Sequence, residues 1–138
     1  MSIETVLAAV AERQRDHAQG ASERTPEQWL AVLGSAVGRA CDGTLLGHPA
    51  QLRTDLVDIA AVCGAWAEAL GVAPAAWTER VAHLASREPQ TTPLANLLTE
   101  VGWMAMDATL AVPNVGALVH GLAHMAATAV AWAAALEP

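Results

Sequence analysis

Asp55 and Asp58 stand three residues apart in Leu52-Arg53-Thr54-Asp55-Leu56-Val57-Asp58. Carboxylates at that spacing share one face of a helix. Such a pair can hold a divalent cation through its oxygens, or it can lie along a helix edge paired with an Arg such as Arg39. His120 and His124 stand four apart and also share a helical face, as metal-binding imidazoles do. Two imidazoles do not complete a tight transition-metal site, so a third ligand is needed. Glu100 is the natural candidate, on the preceding helix, with His83 more remote. Glu100 and Asp107 are carboxylates in an apolar stretch. Buried, they need partners, and Arg39 and His124 are the ones to consider. Trp66, Trp103 and Trp132 fall at helical spacing and read as core, with Trp103 the best alternative as a stacking wall for a flat ligand.

Two long apolar seams must position these residues. In the first, large apolar side chains fall at 52, 56, 59, 63, 66 and 70, the alternation of four and three that faces another helix. The pattern returns at Leu118, Leu122, Met125, Ala129, Trp132 and Leu136. Shifted by 66, Leu52, Leu56, Ala60, Ala61, Ala65, Trp66, Ala67, Ala69 and Leu70 all meet identical residues. That agreement exceeds what a shared helical period gives and reads as an internal duplication. At a shift of 65, Leu33, Asp42, Thr44 and Leu45 likewise match Leu98, Asp107, Thr109 and Leu110.

The expected plan is helix–helix–helix, twice. Helices are expected over 3–18, 26–46, 50–70, 74–87, 94–111 and 114–136. Ser2 can cap the first, whose outer face carries Glu12, Arg13, Arg15 and Asp16, read as solvated. Thr25-Pro26-Glu27-Gln28 is a capping-box start, and Thr92-Pro93 repeats its Thr-Pro cap. Polar residues 19–24 read as a linker and 88–91 as a loop, and Pro113 is expected to open the last helix. The hairpins 27–46/50–70 and 94–111/114–136 are expected to pack as a four-helix bundle about a pseudo-two-fold axis. Helices 3–18 and 75–87 would flank it. The chain is thus a single all-α domain, 1–138, of two repeats, about 1–72 and 73–138.

Composition sets limits. The 138 residues are 54% apolar with no Phe or Tyr, and Ala and Leu favour helix over sheet. Five Trp supply the bulk. Net charge is −7 with no basic stripe, which argues against a nucleic-acid partner. An anionic nucleotide would need a metal ion or a particular Arg. Cys41 and Cys63 are isolated, so buried free thiols in a reducing, cytoplasmic setting are expected rather than a disulfide framework. Glu4 and the lack of a basic start argue against a signal peptide. No charge falls between Asp107 and Glu137, a stretch longer than a membrane span requires. Its Asn114, His120, His124 and many Ala make a buried bundle helix the better reading, with no membrane partner.

Several stretches resemble the MazG-like proteins, the phage-type members above all. They are Ala11-Glu12-Arg13-Gln14-Arg15, Trp29-Leu30-Ala31-Val32-Leu33, Val37-Gly38 and Leu52 through Val62. The resemblance covers about residues 8–70, and more weakly 94–136. It implies an all-α nucleoside triphosphate pyrophosphohydrolase fold. In that family one helix carries Glu-Glu-x-x-Glu and the next Glu/Asp-x-x-Asp. Together they hold Mg²⁺, which binds the triphosphate and activates water. Aligned on Val37-Gly38, the first motif here falls on Ser35, Ala36 and Arg39, so its carboxylates are lost. The second survives as Asp55 and Asp58. In the later copy Glu100 stands in place of Ala36 and Trp103 at the third position, with Gly121 and His124 at the second motif.

Two functions follow. One is a degenerate, non-catalytic MazG-like protein that binds a small ligand, possibly a nucleotide, or a protein partner, with Trp103 and Arg39 in the ligand site. The alternative is a divergent Mg²⁺-dependent pyrophosphohydrolase that releases NMP and pyrophosphate. Its metal ligands would be Asp55, Asp58 and Glu100, with His124. A His120/His124 transition-metal site is a third option. The chain is expected to act as a monomeric pseudo-dimer or as a homodimer.

Overall fold

A computed structural model of the chain describes residues 1–19, 23–87, 92–110, 112 and 114–136. Pro113, the loop 88–91 and the middle of the 19–24 linker lie outside the described residues. The described residues form six helices and no strand: α1 (Ile3–Ala18), α2 (Pro26–Leu46), α3 (Pro49–Ala69), α4 (Pro74–Arg87), α5 (Pro93–Ala108) and α6 (Val115–Ala135).

Local chemistry sets most of the helix ends. The Ser2 hydroxyl accepts the Thr5 amide at 3.1 Å and starts α1. At α2, Thr25 Oγ1 accepts the Gln28 amide at 3.2 Å while Gln28 Oε1 accepts the Thr25 amide at 2.8 Å, a complete capping box. Gly47 closes α2 at φ +68°, a left-handed conformation that favours glycine, and Pro49 starts α3 within two residues. The expected repeat of the Thr-Pro cap does not form. Thr92 sits at φ +51° and makes no side-chain capping bond. The residue three on is Ala95, whose methyl group cannot accept a hydrogen bond to close the box as Gln28 does. Asn114 takes that role for α6, accepting the Ala117 amide at 3.1 Å.

Packing centres on α3 and α6, which lie against each other more extensively than any other pair. Their small residues Ala60, Ala61, Ala65, Ala126, Ala127 and Ala133 are all buried, so the two backbones can approach closely. Helices α1 and α2 both lie on α3, and to a similar extent. Helices α5 and α4 lie on α6, while α2 and α5 meet only modestly. Helix α1, expected to flank the bundle, covers the central helix as fully as α2 does. Helix α6 is long and apolar enough to cross a membrane by length and composition, but 61% of its most apolar window is buried inside the protein.

The burial pattern relates the two halves. Leu52, Asp55, Leu56, Ile59 and Cys63 are buried on α3, and so are Leu118, Gly121, Leu122, Met125 and Ala129, 66 residues on, on α6. For α2 and α5 the matching offset is 64, which pairs buried Leu33 and Ala40 with buried Leu97 and Met104. The 65-residue offset fails, because it pairs fully buried Leu33 with Leu98, which is 51% exposed.

Tryptophans divide by element. Trp66 is buried and stacks on buried Trp29, with centroids 5.9 Å apart and planes 3° from parallel. The Arg24 guanidinium lies 4.7 Å from the Trp29 ring centroid, a cation–π contact that closes the start of α2. Trp132 is half-buried. Trp103 is not core: it is 60% exposed. It sits on the outer side of α5, which also exposes Leu98 and Met106, away from the buried positions Leu97 and Met104.

At Gly64, α3 receives side chains from two other helices. A Cβ there would collide with the Gln14 side chain of α1 and lie 2.9 Å from Trp77 Nε1 of α4. Gln14 can swing away, but Trp77 is buried and cannot. Gly64→Ala is expected to lower stability by about 1–3 kcal/mol in urea unfolding. An unchanged midpoint would show that α1 and α4 do not converge on this glycine.

Candidate functional site

Three helices meet around Asp58. Asp55 and Asp58 are both buried on α3, at 4% and 6% exposure. Arg13 and His17 lie one turn apart on α1, so both side chains reach the same face. Asp58 Oδ1 accepts from Arg13 Nε at 2.8 Å and from His17 Nε2 at 2.7 Å. Asp58 Oδ2 accepts from Arg39 Nη2 of α2 at 2.8 Å. An ionised carboxylate only accepts, so His17 carries a proton on Nε2. Arg39 is steadied from its own helix, where Nη1 donates to Ser35 Oγ at 3.0 Å. Asp55 is held more loosely, with Gln51 Nε2 donating at 3.1 Å and Arg39 Nε only in ion-pair range, 3.9 Å away.

Electrostatics agree with this geometry. Burial alone would push the Asp58 carboxyl up. The hydrogen bonds from His17 and Arg13, with their charges, outweigh burial and hold it well below the usual carboxylate range. Both oxygens of Asp58 are therefore taken by cationic or donor groups. A divalent ion placed there would have to displace Arg13 and Arg39 and would meet their repulsion.

The later half is built differently. Asn96, Thr99, Glu100, His124 and Thr128, from α5 and α6, line a hollow of about 230 Å³. Gly121 stands where α3 has Asp55. A Cβ on it would lie 2.9 Å from Met104 Cγ and 3.5 Å from Glu100 Oε2. The missing side chain thus admits two larger ones from α5. His120 meets His124 edge-on, with ring centroids 4.4 Å apart, and Arg80 Nη2 lies 3.2 Å from His120 Nδ1. His83 is paired with Arg87 at 3.3 Å, on α4.

The expected site residues thus fall into two groups. Arg39, Asp55 and Asp58 are brought together, joined by Arg13 and His17. Glu100 and His124 share the hollow, with His120 beside His124. Glu100 does not join the two aspartates. Among the described residues no three His, Cys, Asp or Glu side chains converge as metal ligands. Arg39, considered as a partner for Glu100, is committed to Asp58. Trp103 is on the surface of α5 and is not among the residues lining the hollow.

No known family model, curated protein or solved structure matches the chain.

Sequence reasoning missed Arg13 and His17, which it had placed on a solvated face or left aside. The available signal was their four-residue spacing, because a buried Asp58 demands cationic partners and α1 offers two groups on one face.

Asp58 is lowered relative to the unfolded chain, so its contribution to stability is fully present above the ordinary carboxylate pKa near 4 and is lost as pH falls toward the folded value. Asp58→Asn leaves two half-exposed guanidinium groups without their counter-charge. It is expected to cost about 1–3 kcal/mol at pH 7, less than a fully buried pair would. The gap between wild type and Asp58→Asn in urea unfolding should narrow below about pH 4. A gap that is constant down to pH 2 would contradict the ion cluster.

Proposed function

We propose that this chain is a degenerate MazG-like protein, built by tandem duplication, that binds a small ligand and does not hydrolyse nucleotides. The observation that carries the reading is the occupancy of Asp58, whose two oxygens face Arg13, His17 and Arg39. Hydrolysis in the family draws on a cage of carboxylates around Mg²⁺, with the metal reversing the sign of an acidic site so that a triphosphate can enter. Here the position of one cage carboxylate is Arg39, and its guanidinium points into the place the cation would take. An intramolecular cation has replaced an exchangeable one.

The duplication reading rests on the 66-residue burial match between α3 and α6 and the 64-residue match between α2 and α5. Each helix pairing in one half also has its counterpart in the other: α1 with α3 as α4 with α6, and α2 with α3 as α5 with α6. One chain would then supply the helices that a family dimer draws from two. We read the protein as a cytoplasmic pseudo-dimer whose apolar α6 is a core helix, not a membrane anchor.

The test is turnover. Purified protein is incubated with each ribo- and deoxyribonucleoside triphosphate in Mg²⁺ or Mn²⁺, and NMP and pyrophosphate are measured. The expected result is no release above the metal-only background. Metal-dependent NMP release that disappears in both Asp55→Asn and Asp58→Asn would overturn the reading and restore the pyrophosphohydrolase.

A further inference from the structure

Thr128 is the one buried polar residue outside α3 among the described residues, at 5% exposure. Two other helical threonines satisfy their hydroxyls on the carbonyl four residues back, Thr44 on Ala40 at 2.9 Å and Thr54 on Ala50 at 3.2 Å. Thr128 makes no hydrogen bond among the described residues and lines the hollow between α5 and α6 instead. Its hydroxyl is not sealed in the core but opens on the hollow, where water or a ligand can reach it.

Glu100 borders the same hollow. It is half-buried and has neither an ion pair nor a hydrogen bond among the described residues. Its carboxylate is held close to the α6 backbone by the absence of a side chain at Gly121. By the 64- and 66-residue offsets, Asn96, Glu100 and Thr128 correspond to apolar Val32, Ala36 and Val62, while Thr99 and His124 correspond to polar Ser35 and Asp58. The hollow is thus lined by polar groups at three positions where the first half is apolar.

We infer that this hollow binds a small primary ammonium compound, such as an alkylamine, an amino alcohol or a short diamine. This inference rests on the ligand-binding reading above and names the site and the ligand class. Glu100 supplies the counter-charge. The Thr128 and Thr99 hydroxyls are of the type that accepts the remaining N–H groups. An anionic ligand does not fit: no Arg lines the hollow, and the chain carries a net charge of −7. A metal ion does not fit, because one carboxylate and one imidazole leave the coordination shell short. The hollow, about 230 Å³, is smaller than the pockets that take drug-sized molecules, which limits the ligand to a short chain.

The full chain is titrated by calorimetry at pH 7.5 with n-butylamine, ethanolamine and 1,4-diaminobutane. Butanol and butyrate serve as neutral and anionic controls, and Zn²⁺ and Mn²⁺ as cation controls. At least one amine is expected to bind at millimolar concentration or below, and the controls are not. Glu100→Gln should weaken that amine roughly tenfold or more, the loss of a charged hydrogen bond. Thr128→Val, which restores the first-half residue, should weaken it several-fold, and its thermal melt should be no lower than wild type. This last readout protects the test from a folding artefact. No heat from any amine, equal binding by Glu100→Gln, or Zn²⁺ binding lost in Glu100→Gln with no amine effect would each overturn the inference. Turnover is measured on the same preparation. Hydrolysis of a nucleoside triphosphate would sink the non-catalytic reading, whereas absence of both turnover and amine binding would sink this inference alone.

Discussion

A carboxylate on the most buried helix of a small protein has to be matched by charge or be neutralised by a proton. Asp58 meets that constraint with three partners from two helices. The match ties both α1 and α2 to α3, α1 through Oδ1 and α2 through Oδ2. It also decides the chemistry. The groups that make Asp58 tolerable in the interior are the same ones that a divalent cation would have to displace from it.

The later half solves the same packing problem without that charge. Where α3 places Asp55 and Asp58, α6 places Gly121 and His124; where α2 places Ala36 and Ala40, α5 places Glu100 and Met104. At these positions the larger side chains sit on the outer helix of the later half rather than on its central helix, and Met104 and Leu122 are both fully buried. The polar groups differ likewise: an internally neutralised cluster around Asp58 in one half, the sides of an open hollow in the other.

Much of this plan was legible in the residues. The 3.6-residue seams marked α3 and α6, and Ser2 and the Thr25–Gln28 box set helix starts that local hydrogen bonds alone decide. At the 66-residue offset, buried positions of α3 meet mostly buried positions of α6. The residues carry two α2–α5 offsets, 65 from identities and 64 from the alignment of Ala36 with Glu100; burial follows 64, since the identities at Leu98 and Leu110 fall on an exposed face where packing imposes no register. Tertiary facts were the least legible. The docking of α1 on α3 turns Arg13 from a solvated residue into a partner of Asp58, and no local pattern states which helix a charged face will meet. Trp103 read as core because indoles usually are, yet it lies on the outer face of α5.

The most direct measurement is divalent-cation binding at the α3 aspartates. Metal-stripped protein is titrated with Mg²⁺ and Mn²⁺ by calorimetry, in wild type and in Arg39→Gln. The account predicts no binding heat at millimolar metal in the wild-type protein, because Arg13 and Arg39 already occupy both oxygens of Asp58. Wild-type binding that is abolished by Asp55→Asn would contradict it, and would mean that the guanidinium groups yield to a metal ion.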